Sequence, residues 1–114
     1  MLRGGSPGWG KGVAVIVRIS RGEFDQADGA MVEEALRSSE VPLVPAIRAM
    51  AGLINYYAAL DLEAGTVVNV SVWDSPEHAQ AMGSLAAMQA QRPVMEAAGM
   101  RFAPIVNTEV AWSI

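Results

Sequence analysis

The chain has 114 residues, with 8 Lys+Arg against 12 Asp+Glu, one His and no Cys, for a formal charge of −4 and a pI near 4.8. That length predicts one compact domain, and the acidic balance excludes the basic stripe with which nucleic-acid-binding proteins neutralise phosphates. The missing cysteines exclude disulfides, thiolate nucleophiles and Cys-ligated metals, and His78 as the one histidine excludes a two-histidine metal site within a subunit, so metal-independent chemistry, or none, is expected.

Apolar residues make up 52 % of the chain and charged residues 18 %. A second copy of the subunit would bury such an apolar surplus, so a homodimer is expected. No uninterrupted apolar run approaches the roughly 20 residues of a membrane-spanning helix, and no membrane partner is expected. Residues 1–12 hold five glycines and no secretory apolar stretch. They read as a flexible leader on a cytoplasmic protein, ahead of a single domain over residues 13–114.

Val13 to Ile19 alternates, with Val13, Val15, Val17 and Ile19 on one face and Ala14, Ile16 and Arg18 on the other. This pattern predicts a strand with one apolar and one mixed face. From Phe24 to about Ser38, apolar residues at helical spacing predict an amphipathic helix. Pro42 and Pro45 lack an N–H and clash with the preceding turn. A break near Glu40 and a short helical turn over about Leu43 to Met50 are therefore expected.

Gly52 suits a helix C-cap. Leu53 to Leu60 and Thr66 to Trp73 read as strands joined by the turn residues Asp61 to Gly65, an antiparallel hairpin. In Asp74-Ser75-Pro76-Glu77 a capping residue precedes a proline, which predicts a helix start. Ala79, Met82, Leu85, Met88 and Gln89 continue that helix, Arg92-Pro93 punctuates it, and Gly99 ends it. Clean alternation from Phe102 to Ile114 predicts one long final strand.

The order β-α-β-β-α-β is a ferredoxin-like α+β fold: a four-stranded antiparallel sheet with both helices on one face. Val67 to Trp73 carries apolar residues on both its faces, so something must also cover the helix-free side. Face-to-face packing of two such sheets into a dimeric α/β barrel would do so.

Asn69, Ser71 and Trp73 share one face of their strand by its period of two. An amide beside an indole makes a corner suited to an aromatic ring. Alternatively, Trp73 is ordinary core and Asn69 bonds to backbone.

From Val13 to Ile114 the chain resembles the antibiotic biosynthesis monooxygenase-like family of dimeric α/β barrels. The likeness is densest in Gly52 to Tyr57 and in Val67 to Glu77, where Asn69, Trp73, Asp74, Ser75 and Glu77 stand in a hydrophobic-Asn-x-x-x-Trp-acid-Ser-x-Glu pattern. In the family's cofactor-independent branch, which oxidises polycyclic phenols to quinones with O2, an Asn and a Trp at this spacing line the substrate cavity. The resemblance thus implies catalytic roles for Asn69 and Trp73, with Arg92 as the basic side chain of the second helix. The branch's Tyr after the Trp is absent, Ala79 standing in its place, and Tyr57 or Tyr56 could substitute if it faces the same cavity. Tyr57, Ser71, His78 and Met82 are the expected substrate-binding residues. The haem-degrading branch requires an Asn in the first strand and a later histidine in the second helix, so haem is not expected.

His78 has a second reading as a half-exposed residue at a helix N-terminus. The other methionines read as core filling or as a pliable cavity wall. Arg18 and Glu109 would form a structural pair if the first and last strands were neighbours. The leading functional expectation is a cofactor-independent monooxygenase acting on a small aromatic or polyketide-like substrate with O2. The alternatives are a non-catalytic dimeric binding or stress-related module, or a relic whose cavity is filled by its own Met and Phe side chains.

Overall fold

The computed structural model describes residues 14–114. The expected leader and Val13 lie outside the described residues. Strand β1 spans Ile16–Glu23, further along than its apolar alternation predicts. Its partner decides the extent: β3 (Thr66–Trp73) pairs antiparallel with all of it, from Ile16 opposite Trp73 to Glu23 opposite Thr66. Gly22 belongs to this strand because the Met100 side chain occupies the space a Cβ would need.

After a 3-10 turn at Gln26–Asp28, helix α1 (Gly29–Ser38) buries Val32 against Phe24, Val67, Met95 and Met100. The expected break falls at Ser39, and helix α2 (Glu40–Arg48) follows it, starting earlier than the expected Leu43 and so containing both prolines. Pro42 falls in the first turn, where the N–H would have no partner anyway. Pro45 deprives the Val41 carbonyl of its donor, but both residues are exposed, so water can serve that oxygen.

Helix α2 is capped by Ala49 rather than by Gly52, which adopts φ +82° in the turn that leads into β2 (Leu53–Asp61). The β2–β3 hairpin closes with Asp61 accepting from the backbone N–H groups of Ala64 and Gly65. Helix α3 (Pro76–Ala81) starts where predicted, with the Ser75 hydroxyl accepting from the His78 N–H at 3.2 Å.

The expected continuous second helix is divided. Met82–Ser84 tightens into a 3-10 turn, Leu85 is extended, and α4 (Ala86–Ala97) begins afresh. Gly83 and Ser84 are weak helix formers, and the Gln89 amide secures the break by donating to the Gly83 carbonyl at 3.1 Å. Helix α4 runs on through the exposed Pro93, which the sequence reading treats as punctuation.

The expected single last strand is two short ones, β4 (Arg101–Phe102) and β5 (Val106–Glu109), both paired antiparallel with β1. Pro104 stands between them without an N–H to extend the ladder. Residues 111–114 are exposed and belong to no strand. The result is an antiparallel five-stranded sheet of order β2-β3-β1-β4, with β5 also on β1, and the fold is α+β and ferredoxin-like. None of the described helices is long and apolar enough to cross a membrane.

Two clusters form the core between sheet and helices. One gathers Ile16, Leu43, Ile47, Ala79 and Met82 around Trp73, and the other gathers Phe24, Val67, Met95 and Met100 around Val32. The mixed face of β1, with Ala14, Ile16 and Arg18, is the one turned to the helices. Its apolar face, with Val17 and Ile19, lies beside Val70 and Val72 of β3 on the opposite side, and these residues join neither cluster.

Candidate functional site

Cross-strand neighbours share a sheet face, so the register lays out the helix-facing floor in rows. At one end, Trp73 lies between Ile16 and Leu53, and at the other Val67 lies between Gly22 and Leu60. Large side chains, with Met100 over Gly22, fill both rows. Between them Asn69 is flanked by Ser20 and Ala58, both too small to reach the helices. These small side chains leave room above them, within a cleft of about 1460 Å³ between sheet and helices that also reaches Leu53, Leu60, Val67 and Met100 of the end rows.

Asn69 lines this cleft, and its Oδ1 is buried without a hydrogen-bond partner. The backbone bond of the plain alternative reading is therefore not formed by that oxygen. Such an orphan acceptor costs about 1–3 kcal/mol, which a donor arriving in the cleft would remove.

The row between Asn69 and Trp73 holds Tyr56, Ser71 and Arg18 side by side on β2, β3 and β1, with Asn107 of β5 next to Arg18. Tyr56 and Arg18 line the cleft. Burial pushes the Tyr56 phenol up to about 12, against a smaller opposing pull from the Arg18 guanidinium. Arg18 is lowered from its ordinary value by burial, with Tyr56 acting in the opposite direction; a guanidinium remains cationic at neutral pH regardless. Although β1 and β5 are neighbours, Glu109 stands opposite Ile16 and the expected Arg18–Glu109 pair does not form.

Trp73 is 0 % exposed and sits in the core cluster, donating its indole N–H to Ser71 Oγ at 2.8 Å. Neither residue is on the cleft wall. This corrects the expectation that a substrate ring lies against Trp73, because close packing leaves it no free face. Tyr57 points from the opposite side of the sheet and is 59 % exposed, and Tyr56 is the tyrosine that faces the cavity.

His78 is likewise outside the cleft. Its Nδ1 lies 2.6 Å from Asp74 Oδ1, and its ring packs where Gly52 has no Cβ. The hydrogen bond from His78 is the main cause that holds the Asp74 carboxyl below its ordinary value. These contacts make His78 a clasp between α3 and the start of β2.

Met82 and Arg92 do line the cleft. The Arg92 Nε donates to Glu96 Oε2 at 3.2 Å, and its guanidinium stands 5.1 Å from the centroid of the Phe102 ring. The residues that sequence reasoning underweighted are Arg18, Ser20 and Tyr56. A charged residue within Val15-Ile16-Val17-Arg18-Ile19 was the available signal.

The Tyr56 phenol should ionise late on alkaline titration. A phenol pKa raised in the native state gives stability that is complete below the unfolded value of about 10 and lost as pH rises toward about 12. Ultraviolet phenolate absorbance of the folded protein should show one tyrosine ionising late, and Tyr56→Phe should remove that late step. A late step that persists in Tyr56→Phe contradicts the assignment.

No family model matches the chain, and no curated protein matches it. Solved structures do. A candidate antibiotic biosynthesis monooxygenase from Deinococcus radiodurans has a TM-score of 0.67 at 16 % identity, over 87 % of this chain and 95 % of that one. A second, from Chloroflexus aurantiacus, has a TM-score of 0.59 at 18 % identity, over 89 % and 97 %. SnoaB, a cofactor-independent oxygenase from Streptomyces nogalater, has a TM-score of 0.62 at 9 % identity, also over 89 % and 97 %. The fold is therefore that of the antibiotic biosynthesis monooxygenase-like proteins. No group of three or more His, Cys, Asp or Glu that could hold a metal occurs among the described residues.

Proposed function

We propose that the protein is a cofactor-independent monooxygenase that oxidises a polycyclic phenol or related aromatic with O2 to a quinone. The buried, unpartnered Oδ1 of Asn69 in the cleft is the observation that carries this reading. A substrate hydroxyl donating to it is fixed in place, and removal of water strengthens that contact. The electron-rich ring carbon of the phenol then reduces O2 and bonds to it, and the hydroxyl proton passes to the reduced oxygen to give a hydroperoxide. Loss of water from that hydroperoxide leaves the quinone, so one oxygen atom enters the product and the other leaves in water. Tyr56, protonated throughout the neutral range, supports a proton-donor role at the departing oxygen. Arg92 and Met82 are assigned to the cleft wall, and Trp73 and Ser71 to its support.

The test is incubation of the purified protein with polycyclic phenols under isotopically labelled O2. One labelled oxygen in the quinone, at a rate unchanged by a chelator, is expected. Ligand binding without quinone formation would replace this reading with a non-catalytic binding module, which the enclosure of Trp73 in the core favours.

A cytoplasmic homodimer belongs to the same reading. Val17, Ile19, Val70 and Val72 form an apolar surface outside both core clusters, with Tyr57 and Val106 exposed beside them. Covering it with a second copy removes it from water. Light scattering should give about twice the 12.0 kDa chain mass. Val70→Asp should yield monomers with the circular dichroism spectrum of the parent, whereas an unaltered dimer would place the interface elsewhere.

A further inference from the structure

We propose that Arg18 and Asn69 form a two-point site for an aromatic hydroxy acid, Arg18 taking an anionic oxygen of the ligand and Asn69 accepting from its hydroxyl. This specifies the substrate class of the site proposed above and rests on that reading of the cleft.

Arg18 is the described arginine most withdrawn from solvent; Arg21, Arg37, Arg48, Arg92 and Arg101 are all exposed. Arg37, Arg92 and Arg101 each have a carboxylate within 4.0 Å, from Glu33, Glu96 and Asp25 respectively. Among the described residues Arg18 has no such partner. Its neighbours are neutral on every side: Tyr56 on β2, Ser71 on β3, Asn107 on β5, and Gly83 from the 3-10 turn above. The missing side chain at Gly83 leaves room beside the guanidinium, where a Cβ would stand 3.6 Å from Nη2.

A partly desolvated cation without a counter-charge is unfavourable unless something anionic completes it. A guanidinium presents a planar fork that matches a carboxylate. The cleft as a whole is lined by four arginines against three acids, in a chain of net charge −4. With Arg37 paired to Glu33 and Arg92 to Glu96, the cleft repels an anion less than the rest of the molecule does, and Arg18 is the partly buried cation in it free to take one.

Asn69 stands one two-residue step along β3 from the row of Arg18, about 7 Å in a strand. Its vacant acceptor calls for a donor, and the guanidinium calls for an acceptor. A flat ligand with a hydroxyl and a carboxylate on separate positions of its ring system satisfies both.

Binding is measured by titration calorimetry without O2, so that its outcome is independent of turnover. The probes are a hydroxynaphthoic acid, its methyl ester and unsubstituted naphthoic acid. The hydroxy acid should bind at least about tenfold more tightly than the ester. Arg18→Gln should abolish that preference while leaving the ester unchanged, and Arg18→Lys should restore part of it. Asn69→Ala should weaken both hydroxylated probes and leave naphthoic acid unaffected. Equal affinity for acid and ester in the parent, an acid preference that survives Arg18→Gln, or no binding of the hydroxy acid at millimolar concentration would each overturn the proposal. Quinone formation from neutral phenols alongside equal acid and ester binding would sink this site while leaving the oxygenase reading intact.

Discussion

Trp73→Ala is expected to lower the free energy of unfolding by about 3–5 kcal/mol, the range for removing a large aromatic side chain from a core. The residue is 0 % exposed and central to the cluster that joins β1, α2 and α3 to the sheet. Its removal also leaves the buried Ser71 hydroxyl without the indole N–H now 2.8 Å away. Small domains are stable by only about 5–15 kcal/mol, so the variant should unfold at a much lower urea concentration. Trp73→Phe separates support from substrate contact. With the ring volume largely retained, it should lose some stability through the lost hydrogen bond, while quinone formation per folded molecule stays near that of the parent. A large fall in turnover with unchanged melting would instead return Trp73 to the reacting centre.

Asn69→Leu should move stability and activity in opposite directions. In the free protein the Asn69 Oδ1 is buried and unpartnered, and an apolar side chain of similar size removes that penalty. A gain of about 1 kcal/mol in unfolding free energy is expected. Turnover should fall by about 10²–10³-fold, the scale for losing one polar group that holds a developing charge. Sites kept for function commonly carry such a stability cost. Thermal melting read beside labelled-oxygen incorporation checks both halves. Turnover that survives in Asn69→Leu would refute the role given to Asn69 here, and an unchanged melting temperature would refute the stability argument.

Some of this site was legible from local pattern. The period of two placed Asn69, Ser71 and Trp73 on one face, and that is how they stand. Which of them meets the cleft was not legible. Occupancy depends on the neighbours across the sheet, Ser20 and Ala58 for Asn69 but Ile16 and Leu53 for Trp73. Those residues are distant in sequence and meet only through strand register. The expectation of Tyr57 fails for the same reason: the irregularity between Leu53 and Asn55 puts Tyr56 rather than Tyr57 on the helix side.

By itself the sequence determined the order of strands and helices, the Ser75-Pro76 helix start and the Gly99 stop, because these depend on periodicity and on backbone preferences of single residues. Only the tertiary structure decided that Pro93 remains inside a helix, since its exposed position lets water serve the carbonyl left without a donor. It also decided that the last strand divides at Pro104 and that the mixed face of β1, rather than its apolar one, turns to the helices. Alternation defines two faces of a strand but does not say which one the helices cover. That choice is made by what packs above each row, and it put Arg18 into the cleft.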